Sequence, residues 1–195
     1  MSKTTYEFNG ESVIRENFNY AYSPHAKRGS TFRQYQSCVS NFAPENKNEF
    51  EYVSIISKKR YGEGTIASAK CAFGKFGAPL IVFTDDMTDD GDGWKLYGLH
   101  FEVVAYEGGC NVWHIVPDPS NEKRPIKPTR IGAAEFEILP DELIDICVKF
   151  GHKKISITIN GNSFDVANED FPERFNVGIT ACEGPNEFFE FTIEE

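Results

Sequence analysis

The last third of the chain places apolar side chains at every second position, and this alternation constrains the fold more than any other feature. Residues 144–150 and 155–159 both follow it, and Asn160-Gly161 comes directly after the second run. This dipeptide suits a type I′ turn, because both central residues of that turn need positive φ. The turn predicts three cross-strand pairs: Ile157 with Phe164, Ile155 with Val166, and Phe150 with Ile155. Their apolar side chains share one face, which indicates an antiparallel sheet with one buried and one solvated face.

Short alternating or apolar runs bounded by turn residues recur along the rest of the chain, and no long run has the 3.6-residue period of a helix. We predict loops at Asp85–Gly93 and Pro117–Pro128, and a single helical turn at Pro140–Glu142. The predicted strands are Tyr6–Phe8, Phe18–Tyr22, Phe50–Ser57, Thr65–Phe73, Pro79–Thr84, Leu96–Tyr106, Cys110–Val116, Phe175–Ala181 and Phe189–Ile193. Strands of this length and spacing are typical of a β-sandwich, so we expect residues 1–195 to form one all-β domain.

The composition excludes several classes of function. Thirty acidic and twenty basic residues give a net charge of −10, which disfavours binding to nucleic acid and to anionic membranes. The five cysteines are widely spaced and form no C-x-x-C pair, unlike a disulfide framework or a zinc site. The first residues lack the apolar segment of a signal peptide, so we expect a cytoplasmic protein. The sequence does not indicate an oligomeric state.

The hairpin between residues 98 and 116 carries the candidate binding site. A two-residue turn at Gly108-Gly109 would pair Tyr106 with Asn111, Val104 with Trp113, and Glu102 with Ile115. The side chains that then share the outward face are His100, Glu102, Tyr106, Asn111 and Trp113. An aromatic ring stacks on the C–H face of a sugar, and the polar groups can bind its hydroxyls. We therefore predict a carbohydrate site here, with Trp94 and Tyr97 at its rim.

Two other interpretations of this hairpin stay open. Trp113 can simply cover the edge of the sheet while Glu102 is a solvated strand residue. A three-residue loop would reverse the alternation, turning Trp113 inward and His114 outward. The exposure of Trp113 separates these interpretations.

The strand pattern also resembles a known superfamily. The segments that carry the resemblance are Tyr97–Val104, Asn111–Trp113, Lys154–Gly161, Asn176–Ile179 and Phe189–Ile193. They are similar to the concanavalin A-like lectin/glucanase superfamily, and in particular to laminin G-like jelly rolls. The resemblance implies a two-sheet antiparallel jelly-roll β-sandwich. It does not choose among the lectins, carbohydrate-binding modules, glycoside hydrolases and protein-binding domains that share this fold.

A glycoside hydrolase needs two carboxyl groups on one face, about 5 Å apart for retention or about 6.5–9.5 Å apart for inversion. Glucanases of the superfamily that this chain resembles carry Glu-x-Asp-x-x-Glu or Glu-x-Asp-x-Glu on one strand. This chain has only Glu49-Phe50-Glu51 and Glu135-Phe136-Glu137. If the protein is an enzyme, we predict Glu102 as one catalytic acid and Glu190 as its cross-strand partner.

The predicted loop at Asp85–Gly93 is a candidate calcium site. It contains Asp85, Asp86, Asp89, Asp90 and Asp92, and calcium takes 6–8 oxygen ligands. A solvated acidic loop is the alternative. The leading hypothesis is thus a domain that binds an oligo- or polysaccharide without cleaving it and requires no cofactor. The alternatives are a glycoside hydrolase and a domain with a protein partner.

Overall fold

The computed structural model describes residues 2–10, 12–26, 28–41 and 52–195 as two packed β-sheets. One sheet has eight strands: β1 (Lys3–Glu7), β3 (Arg33–Gln34), β4 (Val39–Ser40), β7 (Ile66–Phe73), β14 (Ile144–Gly151), β15 (Lys154–Ile159), β16 (Asn162–Ala167) and β18 (Asn186–Glu194). The other has ten: β2 (Phe18–Tyr22), β5 (Val53–Ser57), β6 (Tyr61–Gly62), β8 (Ala78–Thr84), β9 (Met87–Asp89), β10 (Trp94–Tyr97), β11 (His100–Tyr106), β12 (Gly109–Pro117), β13 (Ile126–Glu135) and β17 (Arg174–Cys182).

The strand order interleaves distant parts of the chain. In the eight-stranded sheet it is β16-β15-β14-β7-β18-β4-β3, with β1 also paired to β18. In the ten-stranded sheet it is β13-β12-β11-β8-β17-β5-β2-β10-β9, with β6 also paired to β17. Most pairs are antiparallel, and β10 lies parallel to β2. The prediction of a two-sheet antiparallel sandwich is confirmed.

The register predicted for β14, β15 and β16 is correct. Asn160 and Gly161 have φ of 47° and 85°, as a type I′ turn requires. Ile157 pairs with Phe164, Ile155 with Val166, and Phe150 with Ile155. The period of the side chains and the geometry of the turn specify the same register, so neither signal favours a competing strand pairing.

The core lies between the two sheets and is centred on aromatic rings. Phe83 of β8 stacks on Phe101 of β11 with ring centroids 5.1 Å apart, and Phe150 of β14 meets it edge-on at 5.0 Å. Phe171 and Phe175 complete this cluster. Because alternate residues of β8 and β11 fill this core, the residues between them face away from the eight-stranded sheet.

Several predicted boundaries are wrong for reasons that involve distant residues. The strand predicted at Leu96–Tyr106 is divided at Gly98, where a Cβ would lie 2.0 Å from the Asp86 carboxylate, which accepts the backbone N–H of Leu99. The loop predicted to reach Pro128 ends earlier, because Ile126 already starts β13. Pro128 is tolerated there because β13 is an edge strand.

Three further differences concern short segments. Strand β9 lies inside the predicted acidic loop. No helical turn forms at Pro140–Glu142, where Asp141 has a φ of 65°. A helix, α1 (Ser12–Asn17), was not predicted, because six residues are too few to display a helical period. None of the helices in the described residues is long and apolar enough to cross a bilayer.

Residues 42–51 lie outside the described residues. The first part of the predicted strand Phe50–Ser57 and the pair Glu49-Phe50-Glu51 fall there. The described part of that strand is Val53–Ser57, which is buried at every position at the centre of the ten-stranded sheet.

Candidate functional site

The hairpin of β11 and β12 forms the centre of the candidate site, with a register two residues away from the predicted one. Tyr106 pairs with Gly109, Val104 with Asn111, and Glu102 with Trp113. The turn consists of Glu107 and Gly108, whereas Gly109, with a φ of 131°, already lies in β12. The prediction that Gly108-Gly109 forms the turn is therefore wrong. A shift of two residues preserves the alternation, so the predicted outward face is retained.

An open groove of about 340 Å³ lies on this outward face of the ten-stranded sheet. Strands β8, β11, β12, β13 and β17, together with the segments after β2 and before β5, contribute its lining. The residues in it are His25, Tyr52, Ala78, Leu80, Glu102, Val104, Tyr106, Asn111, Trp113, Ile115, Arg124, Ile126, Pro128, Cys182 and Glu183. Four of the predicted site residues thus share one groove: Glu102, Tyr106, Asn111 and Trp113.

Trp113 is partly exposed in this groove and is not buried between the sheets. A β-bulge in the pairing of β12 with β13 falls between Val112 and Trp113, so Val112 pairs with Gly132 and Trp113 with Arg130. A bulge changes the direction of the side chains that follow it. Val112 remains fully buried in the core. The indole therefore presents an apolar surface to the groove directly opposite Glu102.

Glu102 lies at the floor of the groove with only 7% of its surface exposed. The hydroxyl of Tyr52 donates a hydrogen bond of 2.8 Å to its Oε1, and Nε2 of His100 lies 3.7 Å from the same oxygen. Burial opposes ionisation and is the largest single influence on this carboxyl group. His100 and Tyr52 together outweigh it, so the pKa of Glu102 is below its ordinary value. The groove thus has an ionised carboxylate at its floor at neutral pH.

His100 supports this carboxylate from below and has no exposed surface. Its Nδ1 lies 2.8 Å from the carbonyl oxygen of Gly98, and its ring stacks on Tyr97 with centroids 5.0 Å apart. The Nε2 atom has no hydrogen-bond partner among the described residues. His100 therefore positions Glu102. It does not reach a ligand, whereas the sequence pattern predicted it among the ligand-binding residues.

The two aromatic residues predicted at the rim lie elsewhere. Tyr97 is 1% exposed, and its hydroxyl is 2.7 Å from Oγ of Ser54 inside the sheet. Trp94 stacks on Tyr20, with ring centroids 5.3 Å apart, and lies outside the groove lining. The prediction for both was wrong because the chain bends at Gly98, which separates β10 from β11.

Two groove residues, Tyr52 and His25, were not found by sequence reasoning. The ring of His25 contacts that of Tyr52 edge-on at 5.5 Å, and Nδ1 of His25 lies 2.9 Å from Oγ of Ser23. Burial lowers the pKa of His25 more than Glu102 raises it, so this imidazole is neutral at neutral pH. Both residues are far from β11 in sequence, His25 after β2 and Tyr52 before β5, and no local pattern indicates their position.

The predicted pair of catalytic acids is not formed. Glu190 belongs to β18 in the eight-stranded sheet, where Nζ of Lys70 lies 3.5 Å from its Oε1. Glu102 belongs to the ten-stranded sheet, and β11 pairs there with β8 and β12. The two strands would have to be neighbours for these carboxylates to share a cleft. The other acidic residue that lines the groove is Glu183, which is exposed after the end of β17.

The aspartates of the predicted calcium loop mostly contact other groups of the chain. Asp89 pairs with Lys95 at 2.9 Å, and Asp90 with Arg28 at 3.1 Å. Asp92 lies 3.3 Å from Arg28, Asp86 accepts from the N–H of Leu99 at 2.7 Å, and the carbonyl of Asp85 accepts from Arg60. In the part of the chain that the structure describes, no three acidic, histidine or cysteine residues are grouped to hold a metal ion. The described part of the loop thus shows no preformed calcium site.

A second depression, of about 410 Å³, lies between α1 and β4, and its lining includes the buried residues Ile14, Phe18 and Phe32. Its Lys58 already donates to the carbonyl oxygens of Arg15 and Glu16, at 2.6 and 3.2 Å. It does not combine an exposed indole with a carboxylate. The groove at Trp113 is the better candidate for binding a polar ligand.

Comparison with known proteins gives matches of structure but not of sequence. No family model and no curated protein sequence matches the chain. The carbohydrate-binding module CBM66 from Bacillus subtilis superposes with a TM-score of 0.61 at 10% identity, covering 89% of this chain and 99% of that one. β-Agarase A in complex with oligoagarose gives 0.63 at 10% identity, covering 98% and 93%.

The exoplasmic/lumenal domain of VIP36, bound to Ca²⁺ and Man3GlcNAc, gives a TM-score of 0.57 at 12% identity, covering 92% of this chain and 85% of that domain. At these identities the likeness concerns the fold. It agrees with the strand order and with the resemblance in the sequence. The chain has the jelly-roll β-sandwich fold of concanavalin A-like lectins and glucanases.

Proposed function

We propose that the protein binds carbohydrate in the groove at Trp113 and does not cleave it. The observation that supports this most is the direct cross-strand pairing of Trp113 with Glu102 in an open groove. The indole offers a stacking surface for a pyranose ring, and the carboxylate accepts hydrogen bonds from hydroxyl groups. Tyr52, Tyr106 and Asn111 supply further polar atoms around them.

The similar structures support the same class of ligand. Of the three reported above, one is a carbohydrate-binding module, and the other two were solved with oligosaccharides bound. Their activities belong to those proteins, and only the fold is shared at this level of identity.

Binding without cleavage is favoured by the neighbours of Glu102. On its own strand the next outward residues are His100 and Val104, and its cross-strand partners are Trp113 and Val82. None of these is acidic, so the strands that flank Glu102 supply no second carboxylate of the kind that both hydrolytic mechanisms use. An ionised Glu102 could serve as the nucleophile or base, so cleavage would still need a general acid from another residue.

A glycan array probed with the wild-type protein and two tryptophan variants tests this proposal. Trp113→Ala removes the stacking surface, and we expect its signal to fall at least about tenfold, since the burial and stacking of the ring together contribute roughly 1.5–3 kcal/mol. Trp94→Ala is the matched control, because Trp94 lies outside the groove. Equal binding by wild type and Trp113→Ala would show that the groove is not the sugar site.

Two further outcomes distinguish the alternatives. Release of reducing sugar by the wild type that is lost in Glu102→Gln would identify a glycoside hydrolase. The absence of any glycan signal, together with a specific protein partner, would identify an interaction domain.

A further inference from the structure

The floor of the groove carries a charge that the protein does not neutralise with a permanent cation. Among the described residues, the ion pair recorded for Glu102 is with His100, at 3.7 Å, and its one hydrogen bond comes from Tyr52. A buried carboxylate normally has a cation or several donors around it, because removing it from water costs several kcal/mol. One side of this carboxylate lines the groove, where a ligand can supply the missing partner.

The other charged groups of the groove do not offset this floor charge. Arg124 and Glu183 are both exposed at the rim and have opposite signs, so together they contribute little net potential. His25 is a basic group near Glu102 in the lining, and it is neutral at neutral pH because burial lowers its pKa. The groove therefore presents a carboxylate, paired among the described residues only with His100 beneath it, under a balanced rim and in a molecule with a net charge of −10.

The indole opposite Glu102 favours a cation as well. Side chains of directly paired residues have Cβ atoms about 4.5–5.5 Å apart, so a ligand group can contact Trp113 and Glu102 at once. An ammonium group gains a cation–π interaction with an indole and an ion pair with a carboxylate. A carboxylate or sulfate group of a sugar would instead be repelled by the carboxylate of Glu102 and would also lose its hydration on entering the groove.

We infer that the groove selects saccharides by charge and takes an amino sugar, with the ammonium group of the sugar placed between Glu102 and Trp113. This inference rests on the proposed function. It names the ligand class of the same groove and makes Glu102 the residue that determines specificity. Neutral glycans bind more weakly, and uronic or sulfated glycans are excluded.

A matched pair of ligands isolates the effect of charge. Oligomers of glucosamine and of N-acetylglucosamine with equal length differ only in the charged amine and its acetyl cap. Their affinities are measured by calorimetry in mildly acidic buffer, where the amine and Glu102 are both charged, with galacturonic acid oligomers as the anionic probe. We expect the glucosamine oligomer to bind at least about tenfold more tightly than the acetylated one, with no binding of the anionic oligomer.

Glu102→Gln keeps the size and the oxygen that accepts from Tyr52, and we expect it to remove this preference while Trp113 still supports binding of neutral oligomers. Glu183→Gln is the control for a rim carboxylate, and should leave the preference within about twofold. Thermal melts show whether both variants fold. If Glu102→Gln fails to fold, loss of the wild-type preference at high salt serves as the second measurement.

Each outcome bears on one of the two proposals. Equal affinity of the wild type for both oligomers, or a preference that survives in Glu102→Gln, would overturn charge selection and leave carbohydrate binding intact. Binding of none of the three oligomers and of no glycan on the array would overturn carbohydrate binding itself.

Discussion

The hydroxyl of Tyr52 and the carboxylate of Glu102 form the best-defined polar contact of the groove. They are fifty positions apart in sequence, and their hydrogen bond of 2.8 Å is partly buried. Burial and the nearby carboxylate raise the pKa of Tyr52, so its hydroxyl stays protonated and donates. Sequence alternation placed Glu102 on the outward face, but it contains no information about residue 52. Contacts of this kind depend on which strands become neighbours.

Replacing Tyr52 with phenylalanine removes this donor and leaves Glu102 buried with less compensation. We expect Tyr52→Phe to lower the free energy of unfolding by about 1–3 kcal/mol and to raise the pKa of Glu102. Urea titration measures the first effect. Tyr106→Phe is the control, because that groove tyrosine has no hydrogen bond recorded among the described residues. Similar stabilities for the two variants would contradict the role of Tyr52.

At the level of strands and turns, local patterns were reliable where every local signal agreed. The period of β14 and β15 and the Asn160-Gly161 turn specify one register, and that register is observed. Two adjacent glycines at 108 and 109 are less informative, since either can hold the positive φ, and it is Gly109 that does. The bend at Gly98 depends on the Asp86 carboxylate, which no periodicity reveals.

The type I′ turn gives a direct test of the register argument. Gly161 has a φ of 85°, so Gly161→Ala puts a Cβ into a left-handed conformation and should cost about 1–2 kcal/mol. Gly151→Ala is the matched control in the same sheet, because its φ is not positive and its Cβ would meet Lys154 O at an ordinary 3.5 Å. Denaturant midpoints that shift equally in both variants would contradict the assigned turn.

The acidic loop between residues 85 and 93 is expected to keep its structure without calcium. Because Lys95 and Arg28 already pair with Asp89, Asp90 and Asp92, we expect a chelator to leave both the melting temperature and glycan binding unchanged. Differential scanning fluorimetry with EDTA, and with added calcium as the converse, checks this. A rise of several degrees on adding calcium would show that the loop binds the ion despite these pairs.

For the molecule as a whole, the sheet order brings the groove together and separates the acids that sequence reasoning had paired. Glu102 and Glu190 lie in different sheets, whereas His25, Tyr52, Glu102 and Trp113 meet on one. Sequence patterns predicted the architecture because the alternation of apolar residues within each strand shows which of its faces is buried. Sequence patterns could not predict which residues of different strands become neighbours, because strand order depends on interactions across the entire chain.

Acid should lower the stability of the whole protein. The pKa values of His25 and Glu102 are lower in the folded protein than their ordinary 6.5 and 4.5, so the unfolded chain binds more protons as pH falls. Stability from His25 is present above about pH 6.5 and is lost below it, and that from Glu102 is lost as pH falls through its lowered folded pKa. Urea midpoints measured against pH should decline in both windows, and His25→Gln should flatten the upper one. A midpoint independent of pH down to about 4 would contradict these assignments.

A crystal structure of the protein with the oligosaccharide that binds best on the array is the most direct test of where the sugar lies. The account predicts a pyranose ring within about 4 Å of the Trp113 indole and a polar group of that sugar on the Glu102 carboxylate. Sugar density elsewhere, for example beside Trp94 and Tyr20, with no ligand in the groove would contradict it.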